Sequence, residues 1–184
     1  MSIQDAEQHF VSFLASLGLP SGDSEIESTP GTVTRFLKRF VEERPEPSLT
    51  RFEAKDNARV ELNGFRFYSL CVHHLLPFFG TIDIVLKPTS YFIGFGGFDR
   101  TIEHFSRRLQ LQERMTNEIA DFLYKQIEPE GLAVRSVARQ MCVEMGGGSP
   151  EVVVTTIAAR GSFRELPVSE LFTCQETANK LQAT

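Results

Sequence analysis

The segment Ser69-Leu-Cys-Val-His-His-Leu-Leu-Pro-Phe78 separates two stretches with the composition of β-strands and carries two residues that bind metal ions in proteins. Cys71 and His74 are spaced so that one turn of the chain can present both side chains to one ion. Cys142, far downstream, offers a third ligand. Three protein ligands leave the fourth position of tetrahedral zinc open to water, as in catalytic zinc sites. The pattern therefore predicts a Zn2+ site, although the first segment taken alone could also be an ordinary packed turn.

Strand-like segments lie on both sides of this stretch. Residues 58–62 and 65–69 alternate apolar and polar side chains, and Asn63-Gly64 between them is typical of a tight turn. The pattern predicts two strands joined by a possible turn. Further strands are predicted at 81–87, 91–95, 132–145 and 152–160.

Helical patterns precede and interrupt the strands. Residues 3–17 carry an apolar stripe at helical spacing, and Ser28-Thr29-Pro30 is typical of a helix start with a hydroxyl cap. Asp99 could cap a helix that runs through residue 108, and a longer helix is predicted at 110–126. This order of elements favours an α+β domain with an antiparallel sheet covered by helices on one face.

Composition and charge narrow the class of protein. The chain has 184 residues and a net charge of −5, without a basic run of the kind that binds nucleic acid. Neither a signal peptide nor a transmembrane segment is evident, so no membrane partner is expected. Three cysteines without a disulfide-framework spacing favour the reducing cytoplasm. We expect a helical N-terminal arm, 1–57, followed by a catalytic domain, 58–184.

Several sequence blocks resemble the GTP cyclohydrolase I family. They occur in collinear order from about residue 10 to about residue 165, and the first and third are highly specific. The blocks are Ser69–Phe78 as quoted above, Phe92-Ile-Gly-Phe95, Arg107-Arg-Leu-Gln-Leu-Gln-Glu-Arg-Met-Thr116, Met141-Cys142 and Gly161-Ser-Phe163.

The resemblance implies a tunnelling fold, in which an antiparallel sheet carries two helices on one face and several subunits join into a barrel. Active sites would then lie at interfaces of a homo-oligomer. By the same resemblance Cys71, His74 and Cys142 bind zinc, and His73 acts beside them as an acid or base. Glu113 would bind the guanine edge, and Gln112 next to it would also contact the substrate.

This chain departs from the family pattern at three places. Gln140 occupies the position of a second catalytic His, two residues before the last zinc ligand. Gly96-Gly97 replaces Ser-Lys, and Met145-Gly146-Gly147 replaces a Met-Arg-Gly-like stretch, so two cations that the family uses on the triphosphate are missing. Arg100 remains at the position of a third phosphate contact.

These departures predict a shortened reaction. Gln140 cannot carry a proton at neutral pH, so we expect ring opening at C8 of guanine, guanosine or a guanine nucleotide to be the main activity. The product would be a formamidopyrimidine or a diaminopyrimidine. Two alternatives stay open: a complete GTP cyclohydrolase I that makes dihydroneopterin triphosphate, and a catalytically silent ligand-binding paralogue.

Overall fold

The computed structural model describes residues 2–19, 26–56, 58–147 and 152–172. The chain divides into two compact units, residues 1–43 and 44–184. The predicted division into an arm, 1–57, and a catalytic domain, 58–184, also assigns catalysis to one part of the chain, and it stays a prediction. In the described part of the chain, no helix is long and apolar enough to cross a membrane.

The first unit consists of two helices. Helix α1 (Ile3–Ser16) begins with a capping box, in which the Ser2 hydroxyl accepts from the amide of Asp5 and the Asp5 carboxylate accepts from the amide of Ser2. Helix α2 (Thr29–Val41) begins at the predicted Thr-Pro pair. The prediction of a hydroxyl cap on α2 was wrong, because Ser28 already has helical backbone angles and makes no side-chain cap bond.

The second unit is built on seven strands, four α-helices and one 3-10 helix (Ser162–Glu165) within the described residues. Its strands are β1 (Arg51–Glu53), β2 (Val60–Cys71), β3 (Pro77–Lys87), β4 (Tyr91–Ile93), β5 (Leu109–Gln110), β6 (Gly131–Gln140) and β7 (Val153–Gly161). Its helices are α3 (Phe95–Ser106), α4 (Gln112–Ile127), α5 (Met141–Glu144) and α6 (Val168–Leu171).

The main sheet has the strand order β5-β2-β3-β6-β7. The pairs β2–β3, β3–β6 and β6–β7 are antiparallel, and only the two-residue strand β5 runs parallel to its neighbour β2. Strands β1 and β4 form a separate two-stranded sheet. The predicted α+β class with a mainly antiparallel sheet is confirmed.

Helices α3 and α4 cover one face of this sheet. Their buried apolar residues recur at helical spacing, such as Ile102 on α3 and Met115, Ile119 and Leu123 on α4. These side chains join the inward residues of the strands in one core. A smaller cluster, which includes Val85 and Phe163, packs against the other face near the end of the described chain. The packing of the buried side chains of α4 therefore fixes where Gln112, the first residue of that helix, contacts the sheet.

The predicted turn at Asn63-Gly64 is a bulge within one continuous strand, so that prediction was wrong. Strand β2 runs through both residues, and its register against β3 shifts between Leu62 and Phe65. Gly64 has φ 82°, and its amide donates to the carboxylate of Asp83 on β3 at 2.8 Å. Gly64 has the left-handed conformation that an Asn-Gly turn would need. Here this conformation accommodates one extra residue of β2 opposite β3.

Three further boundaries differ from prediction. Helix α3 begins at Phe95, so Asp99 lies inside the helix and does not cap it. The strand predicted through residue 145 ends at Gln140 and continues as the single helical turn α5. The segment Arg51–Glu53, where no strand was predicted, forms strand β1 because it pairs with β4.

Gly80 allows β3 and β6 to approach closely. It pairs with Ala138, and a Cβ at Gly80 would lie 1.9 Å from the backbone oxygen of Val137. We expect Gly80→Ala to destabilise the protein by about 1–3 kcal/mol or more, because the strands must separate. The midpoint of urea denaturation measures this. Gly96→Ala is the control, since its Cβ would meet only the flexible end of Arg100 at 3.4 Å. Equal midpoints for the two variants would contradict the expectation.

Candidate metal centre

The turn between β2 and β3 positions two of the predicted ligands. Cys71 is the last residue of β2 and is buried. Its amide donates to the carbonyl of Leu76 at 2.9 Å, and the amide of Leu75 donates to the carbonyl of Cys71 at 2.8 Å. Leu75 has φ 55°, which reverses the chain. The closed turn places Cys71 Sγ 3.4 Å from Nδ1 of His74.

Pairing of β3 with β6 brings the third predicted ligand to this turn. Gln140, the last residue of β6, lies opposite Phe78 near the start of β3. The chain then turns into α5, which carries Cys142. The ligand atoms of Cys71, His74 and Cys142 all lie within 4.8 Å of one another. Residues separated by some 70 positions in sequence are thus brought together by one strand pair.

The donor set fits a tetrahedral zinc ion. Zinc–sulfur bonds of about 2.3 Å imply a distance of roughly 3.8 Å between two sulfur ligands, so small side-chain rotations suffice to close the site. Burial, and then the neighbouring Cys71 thiol, raise the pKa of Cys142. Two thiolates this close are unfavourable without a cation, and a divalent cation would stabilise both. The pair is therefore suited to holding a metal.

An ion pair fixes the short helix that carries Cys142. Arg139 donates to both carboxylate oxygens of Glu144, from Nε at 2.9 Å and from Nη2 at 2.7 Å. This contact lowers the pKa of Glu144, through the hydrogen bond from Arg139 first. The pair spans α5 from end to end and limits how far Cys142 can move. This pair was not predicted, because an i, i+5 pair across a strand–helix junction follows no regular spacing in the sequence.

Gln140 and Gln112 form a second group beside the thiols. Nε2 of Gln140 donates to Oε1 of Gln112 at 2.7 Å. Gln112 is buried, and its own Nε2 donates to the backbone oxygens of Ser136 at 3.1 Å and Val154 at 2.9 Å. The side-chain oxygen of Gln140 lies 4.0 Å from Cys142 Sγ. The amide of Gln140 therefore connects the metal ligands to the first turn of α4.

The other predicted site residues are exposed. His73 lies in the β2–β3 turn, with its ring 6.1 Å from that of His74. Glu113 follows Gln112 on α4, and Arg100 lies on α3 with its guanidinium beside Gly96. Within the described residues, neither Glu113 nor Arg100 has a side-chain hydrogen bond to the thiols, His74, Gln112 or Gln140. Their predicted contacts with substrate stay predictions.

Comparison with known proteins identifies the family of this chain. The sequence profile of the GTP cyclohydrolase I family matches residues 6–175. The chain is 35% identical over 168 residues to GTP cyclohydrolase 1 of Fusobacterium nucleatum, covering 89% of this chain and 90% of that protein. It is 39% identical over 153 residues to GTP cyclohydrolase 1 of Aquifex aeolicus, covering 82% and 83%. With GTP cyclohydrolase 1 of Campylobacter lari it is 35% identical over 184 residues, covering 96% and 97%.

Proposed function

Because the chain belongs to the GTP cyclohydrolase I family, we propose that it is a zinc-dependent hydrolase that opens the imidazole ring of a guanine-type substrate at C8. The product is a formamidopyrimidine or a diaminopyrimidine. Family membership confirms the predicted tunnelling fold and supports a hydrolase that acts on a cyclic amidine. The extent of the reaction and the choice of substrate are the parts that we propose.

One observation carries the proposal: two thiols and one imidazole converge, with their ligand atoms within 4.8 Å of one another. Cys71, His74 and Cys142 would hold Zn2+, and the fourth tetrahedral position would remain for solvent. When bound, the ion supplies a water molecule whose pKa is lowered to about 7, and so a nucleophile at neutral pH.

His73 is the proposed proton donor. It lies next to the ligand His74 on an exposed part of the turn, where a substrate can reach it. After water adds to C8, the bond from C8 to a ring nitrogen breaks, and that nitrogen takes a proton from His73. The hydroxyl group on C8 becomes the formyl oxygen and releases its proton to solvent. Imidazole is the side chain that proteins use most often as a general acid or base. Glu113 accepts hydrogen bonds from the guanine edge.

Gln140 accounts for an early end of the reaction. Hydrolysis of the formamide, opening of the ribose and closure of a pterin ring each need further proton transfers. An amide forms hydrogen bonds but does not take up a proton at neutral pH. The steps after ring opening are therefore slow or absent.

The positions of the missing cations support a substrate with fewer phosphates. A Cβ at Gly146 would lie 2.7 Å from the backbone oxygen of Cys142, and one at Gly97 would lie 3.2 Å from Ile93 Cδ1. The backbone at Gly146 thus leaves little room for the Arg of the family pattern, whereas at Gly97 the side chain of Ile93 would have to move by a few tenths of an ångström. Each lost charge-assisted hydrogen bond costs about 1.5–3 kcal/mol, so triphosphate binding weakens by roughly two to four orders of magnitude. Arg100 is the remaining proposed anion contact.

We place the active enzyme in a homo-oligomer. Members of this fold family assemble into barrels, and the exposure of His73 and Glu113 in one subunit leaves both available to a site completed by a neighbour. A reducing cytoplasm is the proposed location, because thiol ligands require cysteines that are kept reduced.

A product panel tests the proposal. Purified protein is incubated with guanine, guanosine, GMP and GTP, and products are followed by mass spectrometry, purine absorbance, formate release and pterin fluorescence. We expect loss of purine absorbance and a product heavier by one water, or its deformylated form, without pterin fluorescence. Chelator-treated protein is the control. Efficient formation of dihydroneopterin triphosphate from GTP would identify a complete GTP cyclohydrolase I. Inactivity on all four compounds would identify a silent paralogue.

A further inference from the structure

We infer that Gln112 is a positioning residue that fixes the side-chain amide of Gln140 with its oxygen toward Cys142. The inference depends on the geometry of the two amides, and its consequence for catalysis rests on the proposed function. The inferred role of Gln112 differs from the substrate contact that the family resemblance predicts.

The direction of the hydrogen bonds leaves one orientation for both amides. Backbone oxygens of Ser136 and Val154 can only accept, so the Gln112 atom that lies 3.1 and 2.9 Å from them must be the nitrogen. The oxygen of Gln112 then faces Gln140, and only the NH2 group of Gln140 can donate to it, at 2.7 Å. The oxygen of Gln140 is left at the other end, 4.0 Å from Cys142 Sγ.

Burial makes this orientation expensive to change. Gln112 is 2% exposed and Ser136 is fully buried. Flipping the Gln112 amide would place its oxygen against two backbone oxygens and leave its nitrogen against the nitrogen of Gln140. Buried acceptors without donors are strongly unfavourable. Both N–H groups of Gln112 are used inside the protein, so none remains to bind a substrate.

The metal centre is therefore bordered by a fixed acceptor. The oxygen of Gln140 can accept a hydrogen bond from water or from a substrate N–H group, and it cannot donate one. A reactant that carries a proton is held in one orientation by this contact. A freely rotating amide could instead turn its NH2 group toward the attacking water. It would then donate a hydrogen bond to the oxygen lone pair that must attack the substrate.

Cobalt substitution tests the inference without relying on activity. Co2+ is bound to the wild-type protein and to Gln112→Met, Gln140→Met, the double variant and Thr116→Val. Thr116 is the matched control, since it is buried one turn further along α4. Its hydroxyl contacts Thr156 and the backbone oxygen of Gln112, and neither side-chain amide. We expect the visible cobalt band to shift equally in both single Met variants and in the double variant. Thr116→Val should keep the wild-type band.

The kinetic comparison separates positioning from substrate contact. For ring opening, Gln112→Met and the double variant should each lower kcat by about 10- to 100-fold, with KM within about twofold of wild type. A raised KM in Gln112→Met with a wild-type cobalt band would overturn the inference in favour of a substrate contact. Additive effects of the two Met substitutions would also overturn it.

The cobalt spectra and the activity measurements together distinguish failure of the positioning role of Gln112 from failure of the proposed function. Failure of the wild-type protein to bind Co2+ removes the metal centre, and with it both the proposed function and the role of Gln112. Coupled cobalt spectra in a protein that is inactive on the product panel would refute the proposed function and retain the positioning role. Uncoupled spectra in an active protein would refute the positioning role alone.

Discussion

Replacing Cys142 by Ala should abolish both bound zinc and ring-opening activity. Two ligands, Cys71 and His74, would remain, and they do not hold zinc tightly enough to survive purification. We expect zinc content to fall from one ion per chain to background and the rate of ring opening to fall by at least about 10⁴-fold. Elemental analysis and the substrate panel measure the two quantities on the same sample.

His73→Asn is the matched variant for this experiment. It removes the proton donor from the same turn but leaves all three ligands, so zinc content should stay at one ion per chain. The rate should fall by about 10²–10⁴-fold, the usual contribution of a general acid. Retention of zinc and activity in Cys142→Ala would show that the ligand assignment is wrong. Loss of zinc in His73→Asn would show that His73 is a ligand.

Replacing Gln140 by His should carry the reaction beyond ring opening. The oxygen of Gln112 already faces position 140, so it can accept from one N–H of an imidazole and leave the other nitrogen free toward Cys142. A neutral imidazole held in this way can take up and return a proton. We expect release of formate, followed by pterin fluorescence, at rates about 10²–10⁴-fold above those of the unmodified protein.

The conservative control for this gain is Gln140→Asn, which changes the side chain without adding a proton carrier. It should release no more formate than the wild-type protein. The same product from Gln140→His as from wild type, at the same rate, would mean that position 140 does not decide where the reaction ends. Pterin formation by the wild-type protein would show that Gln140 does not end the reaction after ring opening.

Local sequence patterns predicted most of the fold and failed where a distant residue decides the conformation. The stripes of α1 and α4 and the alternation in β2 needed no other information. Asn63-Gly64 has the same signature in a turn and in a bulge, and only Asp83 on the neighbouring strand distinguishes the two. Likewise, α3 begins at Phe95 after Gly94, which offers no side-chain cap, and its start is set by the packing of its apolar residues in the core.

The candidate site was predictable only in part, for a related reason. Ligand chemistry and the family blocks singled out Cys71, His74 and Cys142, and the structure brings them together. The anchoring of Gln112 involves Ser136 and Val154, which are 24 and 42 positions away in sequence. Hydrogen bonds over such separations depend on how α4 lies across β6 and β7. No spacing rule in the sequence reports that packing.

X-ray absorption at the zinc edge tests the central claim most directly. For the purified wild-type protein we predict one zinc per chain, with two sulfur neighbours at about 2.3 Å and two nitrogen or oxygen neighbours at about 2.0–2.1 Å. One of the lighter neighbours should be solvent, and a guanine-type inhibitor should alter that contribution. A protein free of metal, or a zinc closed by four protein ligands, would contradict the account.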